Sequence, residues 1–211
     1  MAFNRITFEN ALPEAANPGV ITPRFARRTR LTQRERIMKR ALDLLLAGTA
    51  LFLALPMLGA IALALWLEDR GAVITKQRRV GEGGRGFTMF RFRTTINDNP
   101  QAPLTRVGEL LDELYLNELP QLFNVLRGDM SLVGPRPELP QVVEQYEAWQ
   151  RERFLVPQGI TGWWQVGPRN GKAAHKSTHD DLFYIRNYSV WLDIRILLMT
   201  LHTLIHGREL Y

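Results

Sequence analysis

Leu44-Leu-Leu-Ala-Gly-Thr-Ala-Leu-Phe-Leu-Ala-Leu-Pro-Met-Leu-Gly-Ala-Ile-Ala-Leu-Ala-Leu-Trp-Leu67 carries no charge and is dominated by leucine and alanine. A run of this length meets the roughly 20 apolar residues that a membrane-crossing helix needs. Three features bear on how it sits. Pro56, near the middle, lacks an amide hydrogen and invites a kink. Asp43 just precedes the run, one turn from Lys39 and Arg40, where these charges can pair or snorkel. Both flanks are basic. Arg24 to Arg40 holds eight Lys and Arg with Glu35 as its one acid, and Arg70, Lys76, Arg78, Arg79, Arg85, Arg91 and Arg93 follow. The bias that retains Lys and Arg in the cytoplasm would keep both flanks on one face. A re-entrant helix that enters, bends at Pro56 and returns satisfies that bias; a straight signal-anchor span is the alternative.

The 211 residues suit one domain with appendages. With 27 Lys and Arg against 21 Asp and Glu, the net charge of +6 favours anionic partners: nucleic acid, phosphorylated metabolites or acidic headgroups. The lack of cysteine excludes disulfides and thiolate metal sites. Residues 1 to 23, with three prolines and little apolar periodicity, read as a poorly ordered tail without signal-peptide pattern. His175 and His179, and His202 and His206, have i, i+4 spacing, but the second pair lacks the glutamate of a zinc helix. Ordinary surface histidines are the better reading.

Val73–Gln77 and Phe87–Arg93 read as strands of a short β-hairpin around Gly81-Glu-Gly-Gly-Arg-Gly86. That loop matches the G-x-G-x-x-G spacing of dinucleotide sites, yet a strand follows it where a helix is required, so its glycines read as turn residues. Aromatics interleaved with Arg85, Arg91 and Arg93 resemble a nucleic-acid platform, but no RNA-binding signature accompanies them, and no nucleic-acid partner is expected. Leu104–Leu116, Leu119–Leu126, Glu138–Phe154, Asp180–Tyr188 and Trp191–His206 carry helical spacing, and Pro157–Asn170 reads as an ordered loop. The fold class expected is α+β, mostly α. The last helix reads as a core helix or an interfacial one, and the aromatic C-terminal helices could support a homodimer.

Tyr115-Leu-Asn-Glu-Leu-Pro-Gln-Leu-Phe-Asn-Val-Leu-Arg-Gly-Asp-Met-Ser-Leu-Val-Gly-Pro-Arg-Pro-Glu138 places Glu118 at a proline-bounded helix start and ends in a Pro-Arg-Pro corner. It resembles the signature of the bacterial sugar transferases, the monotopic phosphoglycosyl transferases. Further matches are Lys39-Arg40-Ala-Leu-Asp43, Gln77-Arg-Arg-Val-Gly81, Phe92-Arg93-Thr94, Thr105-Arg106-Val-Gly108, Pro157-Gln-Gly-Ile-Thr-Gly-Trp163, Asp181-Leu-Phe-Tyr-Ile-Arg-Asn-Tyr-Ser189 and Trp191-Leu-Asp193. The stretch between Arg93 and Thr105 is shorter than in the family, and Leu55-Pro56 stands where the family has Ser-Pro.

The resemblance implies transfer of a phosphosugar from a UDP-sugar to a polyprenol (undecaprenyl) phosphate, with release of UMP and with Mg2+ as cofactor, on the cytoplasmic face of the bacterial inner membrane. It implies a disordered basic tail at 1–30, a re-entrant anchor at 31–70 with Lys39, Arg40, Asp43 and Pro56, and a catalytic domain at 71–211. Positions 117 and 118 are implied as catalytic, Glu118 as a Mg2+ ligand with Asp181 as helper, and Arg93, Arg136, Gln77 and Arg79 as substrate contacts. One departure is central: Asn117 stands where the family carries its attacking Asp, and a carboxamide is a very poor nucleophile. Activity is therefore expected to be weak as written and restored by Asn117→Asp, unless Glu118 or direct lipid attack takes over. The alternative is a membrane scaffold that keeps only nucleotide-sugar binding. Asp112-Glu113, off register with Leu116 and Leu119, reads as a solvated helix face.

Overall fold

The computed structural model describes residues 31–99, 101–167 and 178–206. The tail at 1–30 and His175 lie outside them. The first helix, α1 (Gln33–Asp69), starts at a capping box in which the Thr32 side chain accepts from the Glu35 amide and Glu35 accepts from the Thr32 amide. It ends where Arg70 turns left-handed, φ 54°. Pro56 lies inside the helix, which continues through it and leaves the Phe52 carbonyl without its usual donor.

A stripe of α1 is buried from end to end: Lys39, Asp43, Ala47, Ala54, Leu58, Ile61 and Leu65. The spacing of three, four and seven residues defines one helical face. Leu45, Phe52, Leu53, Leu55, Leu63 and Leu67 stay exposed on the others. Both ends are fastened to the same domain. Arg40 donates to the Val125 and Leu126 carbonyls, while Glu68 accepts from the Arg106 and Val107 amides.

The rest is α+β and mostly helical, as expected. Strands β1 (Ile74–Val80) and β2 (Gly86–Phe92) form an antiparallel hairpin that pairs Arg79 with Phe87, Gln77 with Met89 and Thr75 with Arg91. Its turn uses Gly83 (φ 67°) and Gly84 (φ 76°), conformations that glycine adopts without a Cβ penalty, so the glycine-rich loop is a turn. Helix α2 (Arg106–Glu113), a 3-10 turn (Leu116–Glu118) and α3 (Gln121–Arg127) follow, then β3 (Ser131–Val133) and α4 (Pro140–Glu144). β4 (Gly159–Thr161) pairs with β3 in parallel, and α5 (Trp163–Val166), α6 (Thr178–Arg186) and α7 (Val190–His206) complete the domain.

Two expectations need correction. Glu138–Phe154 is not one helix: only Pro140–Glu144 and a 3-10 segment (Gln150–Leu155) are helical. Glu138 is held extended by its bridge to Val80, and Arg153 is drawn inward onto Asp181, which breaks the register. Nor do Lys39, Arg40 and Asp43 pair with one another or snorkel. Each is spent on the domain, Asp43 accepting from Ser131 Oγ and the Leu132 amide at 2.9 Å.

Candidate active site

Glu118 reaches its place through a chain reversal. Helix α2 is capped by the Thr105 side chain, which accepts from the Gly108 amide at 2.9 Å, and it stops at Leu114. Tyr115 then takes a left-handed conformation (φ 57°) and the chain enters the 3-10 turn that carries Asn117 and Glu118. Pro120 opens α3. Asn124 fastens α3 to the hairpin, its amide donating to the Thr88 carbonyl at 2.7 Å and its oxygen accepting from the Phe90 amide at 3.0 Å. The turn is thereby set against the inward face of β2.

Arg136 arrives from the other side. The Gly134 amide donates to the Thr161 carbonyl, and the Gly159 amide to the Pro135 carbonyl, both at 2.9 Å. The two backbones approach so closely that a Cβ on Gly134 would sit 2.3 Å from the Pro157 carbonyl oxygen. From this clamp Arg136 lies 4.9 Å over the Trp164 ring and donates to Glu118 Oε1 at 3.1 Å. Arg91 reaches the same oxygen at 3.7 Å. Arg79, on the same hairpin face, donates to Gln77 Oε1 at 2.9 Å and to the Pro137 carbonyl, and stands 3.9 Å from Glu138.

Three guanidinium groups thus converge on Glu118 and Glu138. Burial, then the neighbouring Arg136 charge, lower the Arg79 pKa to about 10. Burial lowers that of Arg91, against the pull of Glu118. Both remain charged at neutral pH, and a ligand phosphate would relieve their mutual repulsion.

Asn117 is 1% exposed. Its Nδ2 donates to Asp112 Oδ1 at 2.7 Å, and its own Oδ1 is buried without a hydrogen-bond partner. Asp112 is exposed, as its reading as a solvated helix face expects, and it also accepts the hydrogen bond from the buried Asn117 amide. Gln77, Arg79, Asn117, Glu118 and Arg136 are brought together. Two other candidates are placed elsewhere. Arg93, just past the end of β2, is buried. Asp181 lies 2.7 Å from Arg153 Nη2, fully enclosed. Arg153 in turn donates to the Arg136 carbonyl at 3.1 Å and to Tyr146 Oη, so Asp181 supports the Arg136 corner from behind. Arg91, two residues before Arg93, is the hairpin arginine that faces Glu118.

Burial pushes the Asp181 carboxyl up to about 7, with Arg153 opposing and Asp180 assisting. A carboxyl whose folded pKa exceeds its unfolded value binds an extra proton on folding. Its contribution to stability is whole below about pH 4 and is lost as pH rises through 7. Wild type is expected to lose stability relative to Asp181→Asn between these limits. Paired thermal unfolding at pH 4.5 and 7.5 measures it; a constant difference contradicts the shift.

Among the described residues no group of three acids or histidines could cage a metal. The donor set still suits Mg2+, which commonly takes one or two carboxylates and fills its octahedron with phosphate oxygens and water. Both guanidinium contacts of Glu118 fall on Oε1, which leaves Oε2 for such a role.

The model of the bacterial sugar transferase family matches residues 34–207. Over 189 residues the chain is 39% identical to a UDP-N-acetylgalactosamine-undecaprenyl-phosphate N-acetylgalactosaminephosphotransferase of Aeromonas hydrophila, covering 81% of this chain and 44% of that protein. Over 183 residues it is 41% identical to a UDP-glucose:undecaprenyl-phosphate glucose-1-phosphate transferase of Xanthomonas campestris pv. campestris, covering 78% and 38%. An undecaprenyl-phosphate glucose phosphotransferase of Komagataeibacter xylinus is 39% identical over 211 residues, covering 86% and 38%. The chain spans less than half the length of these relatives. A match over most of its residues, enclosing the Glu118 and Arg136 cluster, makes it a member of the bacterial sugar transferase family.

Proposed function

We propose that this chain transfers a phosphosugar from a UDP-sugar to undecaprenyl phosphate or a similar polyprenol phosphate and releases UMP. The observation that carries the reading is the cluster in which Arg91 and Arg136 meet Glu118 while Arg79 meets Glu138. Guanidinium groups would hold the pyrophosphate, with Gln77 fixing Arg79 and Trp164 fixing Arg136. A carboxylate of the site would attack the β-phosphorus, UMP would leave, and a lipid phosphate oxygen would then displace the carboxylate. Mg2+ bound by Glu118 and the phosphates would offset the charge that accumulates there.

Membrane attachment through α1 fits both the relatives and the helix. At 37 residues it is about 55 Å long, far beyond the roughly 30 Å of a hydrocarbon core. A spanning helix would place its two ends on opposite faces, yet Arg40 and Glu68 bind one domain. The support therefore favours the re-entrant anchor at 31–70, with 71–211 as a catalytic domain at the cytoplasmic face of the inner membrane, where both basic flanks remain. On α7, Trp191, Leu198, Leu201, Leu204 and Ile205 stay exposed, a surface suited to lipid or to a second copy in a homodimer.

The test is UMP release by the purified protein in detergent with undecaprenyl phosphate, Mg2+ and either UDP-glucose or UDP-N-acetylgalactosamine. Sugar-dependent UMP that requires the lipid for turnover supports the reading. Nucleotide-sugar binding without UMP, in wild type and Asn117→Asp alike, supports the scaffold instead.

A further inference from the structure

We infer that Asp112 supplies the attacking carboxylate that position 117 lacks, held in place by the Asn117 amide. The inference rests on the phosphosugar-transfer reading and names the group that performs its first step.

Five observations bear on it. Asp112 ionised is an acceptor only, so the group facing its Oδ1 at 2.7 Å must be the Asn117 NH2, which fixes the amide orientation. That orientation turns Asn117 Oδ1 into an enclosed space that offers no donor. An aspartate at 117 would meet the Asp112 carboxylate on one side and an empty acceptor site on the other. Two carboxylates at hydrogen-bond distance cannot both ionise, and one keeps its proton. At Asp112 the surroundings of residue 117 suit an NH2 donor and not a second carboxylate.

Accessibility points the same way. Asn117 is buried, whereas Asp112 is exposed, so a ligand reaches Asp112 Oδ2 without the turn opening. Finally, the charges of both Glu118 and Asp112 act on Arg91, which meets Glu118 at 3.7 Å. A phosphate held by Arg91 would be presented to Asp112. Asp112 also sits in the last turn of α2, where the helix dipole disfavours a negative charge and so favours its consumption in a bond.

The step balances without an added reagent. An Asp112 carboxylate oxygen forms a bond to the β-phosphorus as the bond from that phosphorus to the bridging oxygen breaks, and UMP leaves with the electron pair. A polyprenol phosphate oxygen then bonds to the same phosphorus, and the Asp112 carboxylate departs unchanged.

The experiment compares UMP release by wild type, Asp112→Asn, Asp112→Glu, Asn117→Asp and the neighbouring control Glu113→Gln. Wild type, given UDP-sugar without lipid, is also quenched with hydroxylamine, and the Val107–Arg127 tryptic peptide is fragmented to find the hydroxamate. Expected are a loss of about 100-fold or more in Asp112→Asn, near-wild-type release in Glu113→Gln, no gain in Asn117→Asp, and the label on Asp112. If Asp112→Asn does not fold, labelling of wild type and of Asp112→Glu decides. A label on Glu118, wild-type turnover in Asp112→Asn, or inert wild type with active Asn117→Asp overturns the inference and leaves the transfer reading standing. No UMP from any form with any sugar overturns both.

Discussion

Glu118→Gln is expected to lower UMP release by about 10²–10³-fold while leaving UDP-sugar binding as tight or tighter. The split follows from the charges around it. Glu118 is the negative partner of Arg136 at 3.1 Å and of Arg91 at 3.7 Å. Removing its charge leaves those guanidinium groups with less to neutralise them, which favours an anionic pyrophosphate in the ground state. Phosphoryl transfer between two anions gains charge as it proceeds, however, and glutamine is a poor ligand for a divalent cation. The loss should therefore fall on kcat and not on KM, which distinguishes it from a loosened pocket. Steady-state UMP release and equilibrium titration with UDP-sugar measure the two separately. A change in KM alone, or turnover within a few-fold of wild type, would remove Glu118 from the chemistry.

How much of this site could be read from the chain divides by whether a feature is local. The hairpin was legible because its alternation and its paired glycines are short-range properties, and Gly83 and Gly84, read as turn residues, take left-handed φ in that turn. Arg136 stands between Pro135 and Pro137, whose rings fix their own φ, and the fold brings it to Glu118. Asp112 was not legible as a partner of Asn117. Its helical register with Leu116 and Leu119 fails, but α2 ends at Glu113 and Tyr115 reverses the chain, so no helical register carries across that point. Hydrogen bonding over five residues through a left-handed turn leaves no periodic trace. Arg91 and Arg93 differ by two positions and have the same composition around them. Only the fold separates them: Arg93 is buried, whereas Arg91 is partly open and meets Glu118. For Asp181, the sequence shows an acid at a helix start, which a ligand or an ion pair suits equally. In the fold it lies 2.7 Å from the enclosed Arg153, a contact across the chain that no local pattern announces.

Lys39→Met should destabilise the protein by about 3–5 kcal/mol, the usual cost of leaving one partner of a buried pair unmatched. Lys39 is 2% exposed. Its ammonium donates to Asp193 Oδ2 at 2.8 Å, the Val133 carbonyl at 2.7 Å and Tyr184 Oη at 3.2 Å, and lies within 6 Å of the Tyr184 and Tyr188 rings at 5.9 and 5.6 Å. All three ammonium hydrogens are thereby used. Methionine fills similar volume but leaves the Asp193 carboxylate with Tyr184 alone, at 2.7 Å. Asp193→Asn in the same chain removes the stranded charge, so the double variant should recover part of the loss, a coupling that a purely packing role would not show. Function should follow. The Val133 carbonyl that Lys39 holds belongs to the strand leading into Gly134 and Arg136, so the ion pair ties α1 to the arginine that meets Glu118. Lys39→Met is therefore expected to weaken UDP-sugar binding even at temperatures where the protein remains folded. Thermal unfolding in detergent gives the first quantity and nucleotide-sugar titration the second. Additive single-variant losses would show that α1 is merely seated on the domain, whereas coupled losses show that the helix and the anion site are one mechanical unit.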